Sequence, residues 1–125
     1  MTYLLDVNAL LASIITDHPM HPVADDRIRG KSLAVCPLSE LGFIRVSTQP
    51  KAFGLSMKDA RRLLESFVRE NGVVFLPADL AALKSNPLRS DEVTDHYLAD
   101  LAAAKDCKLA TLDTRLNHRV SEIIA

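Results

Sequence analysis

The sequence predicts an α/β fold of three layers, in which a central, mostly parallel sheet of four or five strands lies between helices. Short apolar runs, typical of buried parallel strands, alternate along the chain with segments whose apolar residues recur at helical intervals. Strands that alternate with helices form βαβ units, which place helices on both faces of one sheet. Because 125 residues suit one compact domain, we expect residues 1–125 to form a single domain.

The first part of the chain contains two predicted strands and three predicted helices. In order, these are the strand Tyr3–Leu5, the helices Asn8–Ile15 and Pro22–Arg29, the strand Leu33–Cys36 and the helix Pro37–Val46. Gly30 ends the second helix. Pro37 suits the first turn of the third helix, where the missing N–H would have no partner in any case.

The second part of the chain continues the alternation. Ser56 and Asp59 have the spacing of a capping box and begin a helix that Asn71 and Gly72 end. The segments that follow are a strand Val73–Leu76, a short helix Asp79–Lys84, a helix that begins near Asp91 or Thr94, a strand Lys108–Leu112 and a weak fifth strand Val120–Ile124. These elements complete the predicted sheet and its two helical layers.

Composition and charge restrict the class of protein. With 48% apolar and 25% charged residues, the chain has the profile of an ordinary globular protein, and its net charge of −1 gives it no general affinity for nucleic acid. Cys36 and Cys107 lie in apolar runs without a CxxC pair, which is typical of reduced core cysteines in the cytosol. The sequence shows neither a basic leader nor an apolar run long enough for a membrane span, so we expect a cytoplasmic protein.

Four carboxylates stand where a strand ends or a helix begins: Asp6, Glu40, Asp95 and Asp113. In an open α/β sheet these ends meet along one edge, the usual place for a ligand. Acids held together raise one another's pKa, and the arrangement is costly unless a cation neutralises it. Mg²⁺ and Mn²⁺ prefer carboxylate oxygens, and such clusters commonly cut phosphate esters. The joint placement therefore predicts a metal-dependent nuclease.

Asp6 and Asp113 share a geometry, because each follows an apolar strand. An Asp at this position often serves only as a helix cap. Asn8 offers the helix a cap of its own, which would leave Asp6 free to face the cleft. Thr111 faces the same side of its strand as Asp113, so we interpret its hydroxyl as support for the acids.

Glu40 and Asp95 each lie in the first turn of a predicted helix, where acidic residues usually only complement the helix dipole. Asp100 follows Asp95 by five residues, about 140° round the helix, so both side chains are not expected to point at one ion. We interpret Asp95 as the metal ligand and Asp100 as a solvent-exposed residue.

Three segments resemble the signature blocks of PIN-domain ribonucleases, particularly the VapC-type toxins of bacterial toxin–antitoxin pairs. These are YLLDVNALLAS, CPLSELGFIRVST and VTDHYLADLAAAKDCKLATLDTRL. The resemblance covers essentially the whole chain, although the segment between His21 and Lys31 is short for such toxins and the end after Leu116 is brief. The matching positions are Asp6, Asn8, Glu40, Asp95, Thr111 and Asp113, and Arg45 lies in a VapC-like stretch.

The resemblance implies a divalent-metal-dependent endoribonuclease that hydrolyses RNA phosphodiester bonds and acts as a toxin. Asp6, Glu40, Asp95 and Asp113 would hold one or two Mg²⁺ or Mn²⁺ ions. It also implies a small antitoxin encoded beside the toxin, which inserts an Arg or Lys into the acidic cleft. Homodimers are common in the family, and the helices near Phe43 or Phe67 are the contact faces that we expect.

The basic residues between positions 41 and 70 outnumber the acids there and could line a path for RNA. Arg45 lies on the same helix as Glu40, so we interpret it as a substrate contact, and the arginines of the next helix as its solvated face. The four histidines have no zinc-site spacing and are expected at the surface: His18, His21, His96 and His118.

Two alternatives come from other classes of protein. A haloacid-dehalogenase-like phosphatase would use Asp6 as a covalent nucleophile, but that family has Asp-x-Asp where this chain has Asn8, and no convincing downstream lysine. A non-catalytic metal-binding α/β module would use the same acids without turnover. A third possibility keeps the nuclease and replaces RNA with DNA.

Overall fold

The computed structural model describes residues 1–124, so Ala125, the last residue of the predicted domain, lies outside the described residues. Its strands are β1 Thr2–Leu5, β2 Ser32–Val35, β3 Val74–Phe75, β4 Lys108–Thr111 and β5 Ser121–Ile123. All pair in parallel, in the spatial order β3-β2-β1-β4-β5. The predicted parallel sheet is confirmed, and the weak fifth strand belongs to it.

Five α-helices surround the sheet. They are α1 Val7–Ile14, α2 His21–Ile28, α3 Pro37–Ser47, α4 Met57–Glu70 and α5 Val93–Ala104. The predicted helix at Asp79–Lys84 is reduced to one 3₁₀ turn, Ala82–Lys84. Ser56 caps α4 as predicted, since its hydroxyl oxygen accepts from the Asp59 N–H at 3.0 Å.

The core has two parts, one on each face of the sheet. Leu5, Leu33 and Ala110 point to the side covered by α1 to α4, whereas their neighbours Leu4 and Leu109 point to the side covered by α5. Strands buried on both faces need apolar residues at every position, which explains why the strands appear in the sequence as continuous apolar runs. The predicted three-layer architecture follows from this division.

Phe43 and Phe67 belong to the core beneath α3 and α4, with exposed fractions of 0% and 9%. The two phenylalanine side chains themselves are therefore not available to a second copy, whereas the outer faces of these helices stay predicted contact faces. Both lie on the inner sides of amphipathic helices, and helical spacing alone does not distinguish a core face from a contact face.

The order in which the chain adds strands to the sheet reverses at β1. It passes from β1 to β2 and β3 on one side, and then returns to place β4 and β5 on the other. The Asp6 N–H, just after β1, donates to the carbonyl of Ala110 in β4 at 3.1 Å. The ends of β1 and β4 are thus joined where such sheets form a crevice for ligands.

The segment between β3 and α5 is attached to α5 at both ends of the helix. The Tyr97 hydroxyl donates to the Leu80 carbonyl at 2.5 Å, and Lys105 Nζ lies 2.8 Å from Asp79 Oδ1. These contacts fix the long connection against the helix that carries Asp95. No helix within residues 1–124 has the length and apolarity that crossing a membrane requires.

The closest approach of two helices occurs at Gly42 of α3, which packs against Val7 at the start of α1. A Cβ added at Gly42 would lie 2.3 Å from Cγ2 of Val7, a distance that real side chains do not adopt. Glycine at this position therefore lets α3 lie directly over the first turn of α1, and so sets the distance between the helices that follow β1 and β2.

Gly42→Ala should destabilise the protein, although alanine is ordinarily the better helix former by about 1 kcal/mol. Pushing α3 away from α1 should lower the free energy of unfolding by about 1–3 kcal/mol in urea titrations. Val7→Ala removes the atoms that would clash, so the double variant should recover part of the loss. A Gly42→Ala protein as stable as the parent would show that the two helices are not in close contact.

Candidate active site

Asp6 combines two roles at the carboxyl end of β1. Its backbone is extended (φ −75°, ψ 176°), and its Oδ1 accepts from the Ala9 N–H at 2.7 Å, so it is the N-cap of α1. The side chain is only 1% exposed. The prediction that Asn8 caps the helix is wrong, because Asn8 already lies within its first turn and is exposed. The capping hydrogen bond fixes the orientation of the Asp6 side chain at the crevice.

Thr111, at the end of β4, connects two of the acids. Its hydroxyl oxygen accepts from the Asp113 N–H at 3.0 Å, and its hydroxyl proton is donated to the carboxylate of Asp6. The side chain is fully buried. One hydroxyl therefore couples the positions of Asp6 and Asp113, which are contributed by neighbouring strands.

Asp113 is partly buried and has a cation beside it. Its Oδ1 accepts from the Arg115 N–H at 2.8 Å, and Nε of the same arginine lies 3.4 Å away. Arg115 also approaches Asp91 at 3.5 Å and is largely exposed. The turn after β4 is thus organised around one oxygen of Asp113, while Oδ2 has no hydrogen bond or ion pair to residues 1–124.

Asp95 lies in the first turn of α5, on the other side of the crevice. Burial and the charge of Asp113 both raise the pKa of its carboxyl group. Among residues 1–124, no side chain or backbone group forms a hydrogen bond or ion pair with this carboxylate. A half-buried carboxylate without such a partner has free oxygens to offer a ligand.

The electrostatic state of Asp6 reflects the charges of two neighbouring acids. Burial is the largest cause that raises its pKa from 3.8 to about 7, and the charges of Asp95 and Asp113 raise it further. Hydrogen bonds from Thr111 and Ala9 act in the opposite direction. The carboxylates are close enough to repel one another, so a cation between them would be stabilised.

Glu40 occupies a different position. It lies in the first turn of α3, and burial raises the pKa of its carboxyl group. Its side chain lines a groove of about 650 Å³ between α3 and α4, with Arg61 and Arg69 on the opposite wall. The structure therefore brings Asp6, Asp95 and Asp113 together and leaves Glu40 beside them, facing another cavity.

A cleft of about 390 Å³ adjoins Asp95. Asn8 and Thr94 border it, Leu41 forms part of its apolar wall, and Arg45 lies in the last turn of α3. The Arg45 side chain is exposed and has no carboxylate partner within residues 1–124. The cleft therefore has an acidic end at Asp95 and a basic end at Arg45. This arrangement suits a phosphodiester chain whose one phosphate lies at a metal and whose next phosphate contacts the arginine.

The donor set suits a hard divalent cation. Asp6, Asp95 and Asp113 offer carboxylate oxygens, and Thr111 offers a hydroxyl oxygen. Within residues 1–124, no three His, Cys, Asp or Glu side chains are close enough to form a ready coordination shell. Mg²⁺ keeps several of its waters and needs only one or two carboxylates, so the oxygens present suit this ion.

Two histidines and Asp100 form a second cluster, near the crevice. Nε2 of His118 lies 2.8 Å from Asp100 Oδ1, and Nδ1 of His96 lies 3.1 Å from Oδ2. The side chains of the three residues are only 10–23% exposed. The predictions that His96 and His118 are surface residues and that Asp100 faces solvent are wrong. Contacts between residues distant in sequence bury them, and helical spacing gives no sign of this.

The pKa of Asp100 also reflects this cluster. Burial by itself would raise the pKa, but hydrogen bonds from His118 and Ser85 hold it below the ordinary value for aspartate. Asp100 is therefore a carboxylate at neutral pH.

The chain is similar to several ribonucleases. Ribonuclease VapC38 of Mycobacterium tuberculosis is 36% identical over 118 residues, which cover 88% of this chain and 84% of that protein. Ribonuclease VapC44 of the same organism is 33% identical over 123 residues, with coverage of 90% and 87%. Ribonuclease VapC29 is 29% identical over 124 residues, with coverage of 94% and 90%. No protein-family model matches the chain.

The fold is also similar to that of a solved structure. The crystal structure of VapBC2 from Rickettsia felis, bound to a DNA fragment from their promoter, matches with a TM-score of 0.64 over 98% of both chains. Its sequence is 15% identical, so the similarity is one of fold.

The raised pKa of Asp6 predicts that the metal-free protein loses stability as the pH rises. The folded state binds this proton more tightly than the unfolded chain, so the contribution is complete below about pH 4 and is lost as the pH passes about 7. Asp6→Asn keeps a good N-cap and removes the ionisation. In urea titrations with EDTA at pH 8, we expect the variant to be more stable than the parent by a few kcal/mol.

The difference between the two proteins should shrink towards pH 4, because Asp6 is already protonated in the folded chain and the unfolded chain begins to bind the same proton near its ordinary pKa of 3.8. Asp25→Asn, at an exposed carboxylate of α2, is the matched control and should show no such dependence. Equal stability of the Asp6→Asn protein and the parent at both pH values would contradict the burial of a charged Asp6.

Proposed function

Because the chain belongs to the VapC family of ribonucleases, the toxins of toxin–antitoxin pairs, we propose that residues 1–125 form one PIN-like domain that cuts RNA in the cytoplasm. Family membership implies a metal-dependent nuclease. The single observation that carries the site assignment is the electrostatic effect of Asp95 and Asp113 on Asp6, at the crevice between β1 and β4.

We assign the metal ligands to Asp6, Asp95 and Asp113, with Glu40 as a fourth acid. The ion would be Mg²⁺ or Mn²⁺, since both accept oxygen ligands. Glu40 requires a side-chain rotation to face the crevice, because it lines the groove between α3 and α4. The proposal therefore gives Glu40 the smallest share in metal affinity.

The residues of this chain would position the reaction. A divalent cation supplies positive charge for the phosphate and lowers the pKa of water. The Thr111 hydroxyl holds Asp6 and Asp113 in register. The burial of Asp6 keeps bulk water from its carboxylate, which strengthens the attraction of cations. No nucleophilic side chain is needed for hydrolysis of this kind.

Arg45 and Asn8 would contact the RNA. Both line the cleft that begins at Asp95, and Arg45 is available to bind a phosphate because no acid within residues 1–124 pairs with it. By contrast, Arg62 and Arg69 pair with acids of their own helix, which supports their interpretation as a solvated face. The RNA path is therefore proposed along α3 and not along α4.

The cognate antitoxin would be the second partner. The neighbouring acids Asp95 and Asp113 raise the pKa of Asp6, so the crevice attracts cations, and an inserted Arg or Lys side chain would satisfy the carboxylates as a metal does. Antitoxin binding and Mn²⁺ binding should therefore compete. An antitoxin that binds equally well with and without saturating Mn²⁺ would contradict this placement.

A homodimer would use an exposed apolar patch. Its members lie on α3 and around the start of α5: Leu38, Leu41, Leu83, Leu88 and Val93. Leu38 and Val93 line one depression, and Leu38 and Leu41 line the cleft beside Asp95, so these three residues are neighbours on the surface. Leu83 and Leu88 are 95% and 92% exposed. Exposed apolar residues that form one patch commonly mark an interaction site.

Cleavage of a labelled RNA by the pure protein tests the activity. We expect cleavage with Mg²⁺ or Mn²⁺, none with EDTA, and restoration when the metal is added back. Asp95→Asn should reduce kcat by at least about 100-fold while the protein stays folded, because it removes one charged ligand and little packing. Arg45→Ala should instead raise KM for RNA, since it removes a phosphate contact.

Two controls separate this proposal from its alternatives. Asp26→Asn removes an exposed carboxylate of α2 and should cleave like the parent. Metal binding without cleavage of any RNA would favour a binding module, and a phosphorylated Asp6 would favour a phosphatase. Undiminished cleavage by folded Asp95→Asn protein would refute the assignment of this residue.

Light scattering tests the dimer. The parent should have twice the chain mass of 13.7 kDa. Leu88→Asp should give the monomer mass without loss of thermal stability, because a fully exposed leucine contributes nothing to the core. Met57→Asp is the matched control, since Met57 is 56% exposed at the start of α4, far in sequence from the patch. A parent protein of monomer mass, or a dimer that survives Leu88→Asp, would exclude this interface.

A further inference from the structure

Asp100 joins three separate segments of the chain. It accepts a hydrogen bond from His118, in the connection between β4 and β5, and contacts His96 on its own helix. The Ser85 hydroxyl lies 3.1 Å from Nδ1 of His96 and donates to Asp100. One buried carboxylate thereby ties the segment before α5 and the segment after β4 to the helix itself.

The chemistry of this cluster argues against two other roles. A Ser-His-Asp hydrolase needs the serine and the aspartate on opposite nitrogens of the ring, but here Ser85 and Asp100 both approach Nδ1 of His96. The cluster also offers a metal little, because both ring nitrogens of His118 are already engaged, one by Asp100 and the other by the Val120 N–H.

The position of the cluster relates it to the acids. Asp100 follows Asp95 by five residues, and His118 follows Asp113 by five residues. The Asp100–His118 hydrogen bond of 2.8 Å therefore spans the same two segments that carry Asp95 and Asp113. Two carboxylates of like charge repel each other. A bond between their segments opposes the separation that this repulsion favours.

His118 is well suited to such a bond. Its Nδ1 accepts from the Val120 N–H at 3.3 Å, so the proton that it donates to Asp100 is on Nε2. Both ring nitrogens are engaged, and the side chain is 10% exposed. The orientation of the ring is consequently fixed from two sides.

We propose that Asp100 is a positioning residue, which holds the segments carrying Asp95 and Asp113 at a fixed separation. It touches neither substrate nor cation, and acts through its hydrogen bond to His118. This inference rests on the proposed function, since it requires Asp95 and Asp113 to bind a divalent cation.

Titration calorimetry with Mn²⁺ alone, on the full chain at pH 7.5, tests the proposal. Asp100→Ala and His118→Ala should each weaken Mn²⁺ binding by about 10–100-fold, the usual effect of losing a group that orients metal ligands. His118→Ala is the sharper variant, because it removes the hydrogen bond and keeps the Asp100 carboxylate, whereas Asp100→Ala also removes a negative charge near the ion. His118→Gln, whose amide N–H can still reach Asp100, should bind Mn²⁺ nearly as well as the parent.

Asp79→Ala is the matched control. It removes one carboxylate and one contact to the same helix, the ion pair with Lys105, but at the end remote from Asp95. Its Mn²⁺ affinity should equal that of the parent. The double variant Asp100→Ala/His118→Ala should bind little more weakly than Asp100→Ala, because both changes remove the same hydrogen bond.

The outcomes separate this inference from the proposed function. A parent that binds no Mn²⁺ and cleaves no RNA would refute both. A parent that binds Mn²⁺, with Asp100→Ala and His118→Ala proteins of equal affinity, would overturn the positioning role alone. Lower thermal stability with unchanged Mn²⁺ affinity would show that the cluster only stabilises the fold. If Asp100→Ala does not fold, as judged by circular dichroism, the comparison of His118→Ala with His118→Gln decides the question.

Discussion

The repulsion of Asp6, at the carboxyl end of β1, by Asp95 and Asp113 is the constraint on which the rest of the structure depends. Burial makes ionisation of Asp6 costly, and the neighbouring charges of Asp95 and Asp113 increase that cost. Two hydrogen bonds, from Ala9 and Thr111, favour the charged form but do not restore the ordinary pKa. In the metal-free protein the ionised Asp6 carboxylate is therefore electrostatically unfavourable. A divalent cation, or an Arg or Lys side chain of an antitoxin, would reduce this cost.

The fold supplies the rigidity that such a state requires. The parallel sheet brings β1 beside β4, and a backbone hydrogen bond from Asp6 to Ala110 joins them at the crevice. On one face, the contact of Gly42 with Val7 lets α3 lie close to α1. On the other face, Asp100 and its histidines connect α5 to the segment after β4. Each contact limits the movement of an element that carries an acid.

Much of this could be predicted from the sequence. Apolar runs and helical periodicity gave the order of elements, and the motifs around Asp6 and Asp113 suggested the family, which the similarity to ribonucleases VapC38 and VapC44 confirms. Predictions that depended on the surroundings of a single side chain were less successful. Asn8 was a candidate cap for α1, and His118 was expected to be exposed, but neither holds in the structure. Residue spacing indicates helical periodicity, and it does not show which distant groups form hydrogen bonds.

The sequence by itself determined the parallel α/β architecture and the identity of the acids that end its strands. These depend on local patterns, since strands buried on both faces must be apolar and a helix shows its own period. Only the tertiary structure decided which groups meet: Thr111 bridges Asp6 and Asp113, Glu40 faces another groove, and Asp100 is buried between histidines. These contacts join residues that lie far apart in the chain. They are determined by strand register and helix packing, which no short segment encodes.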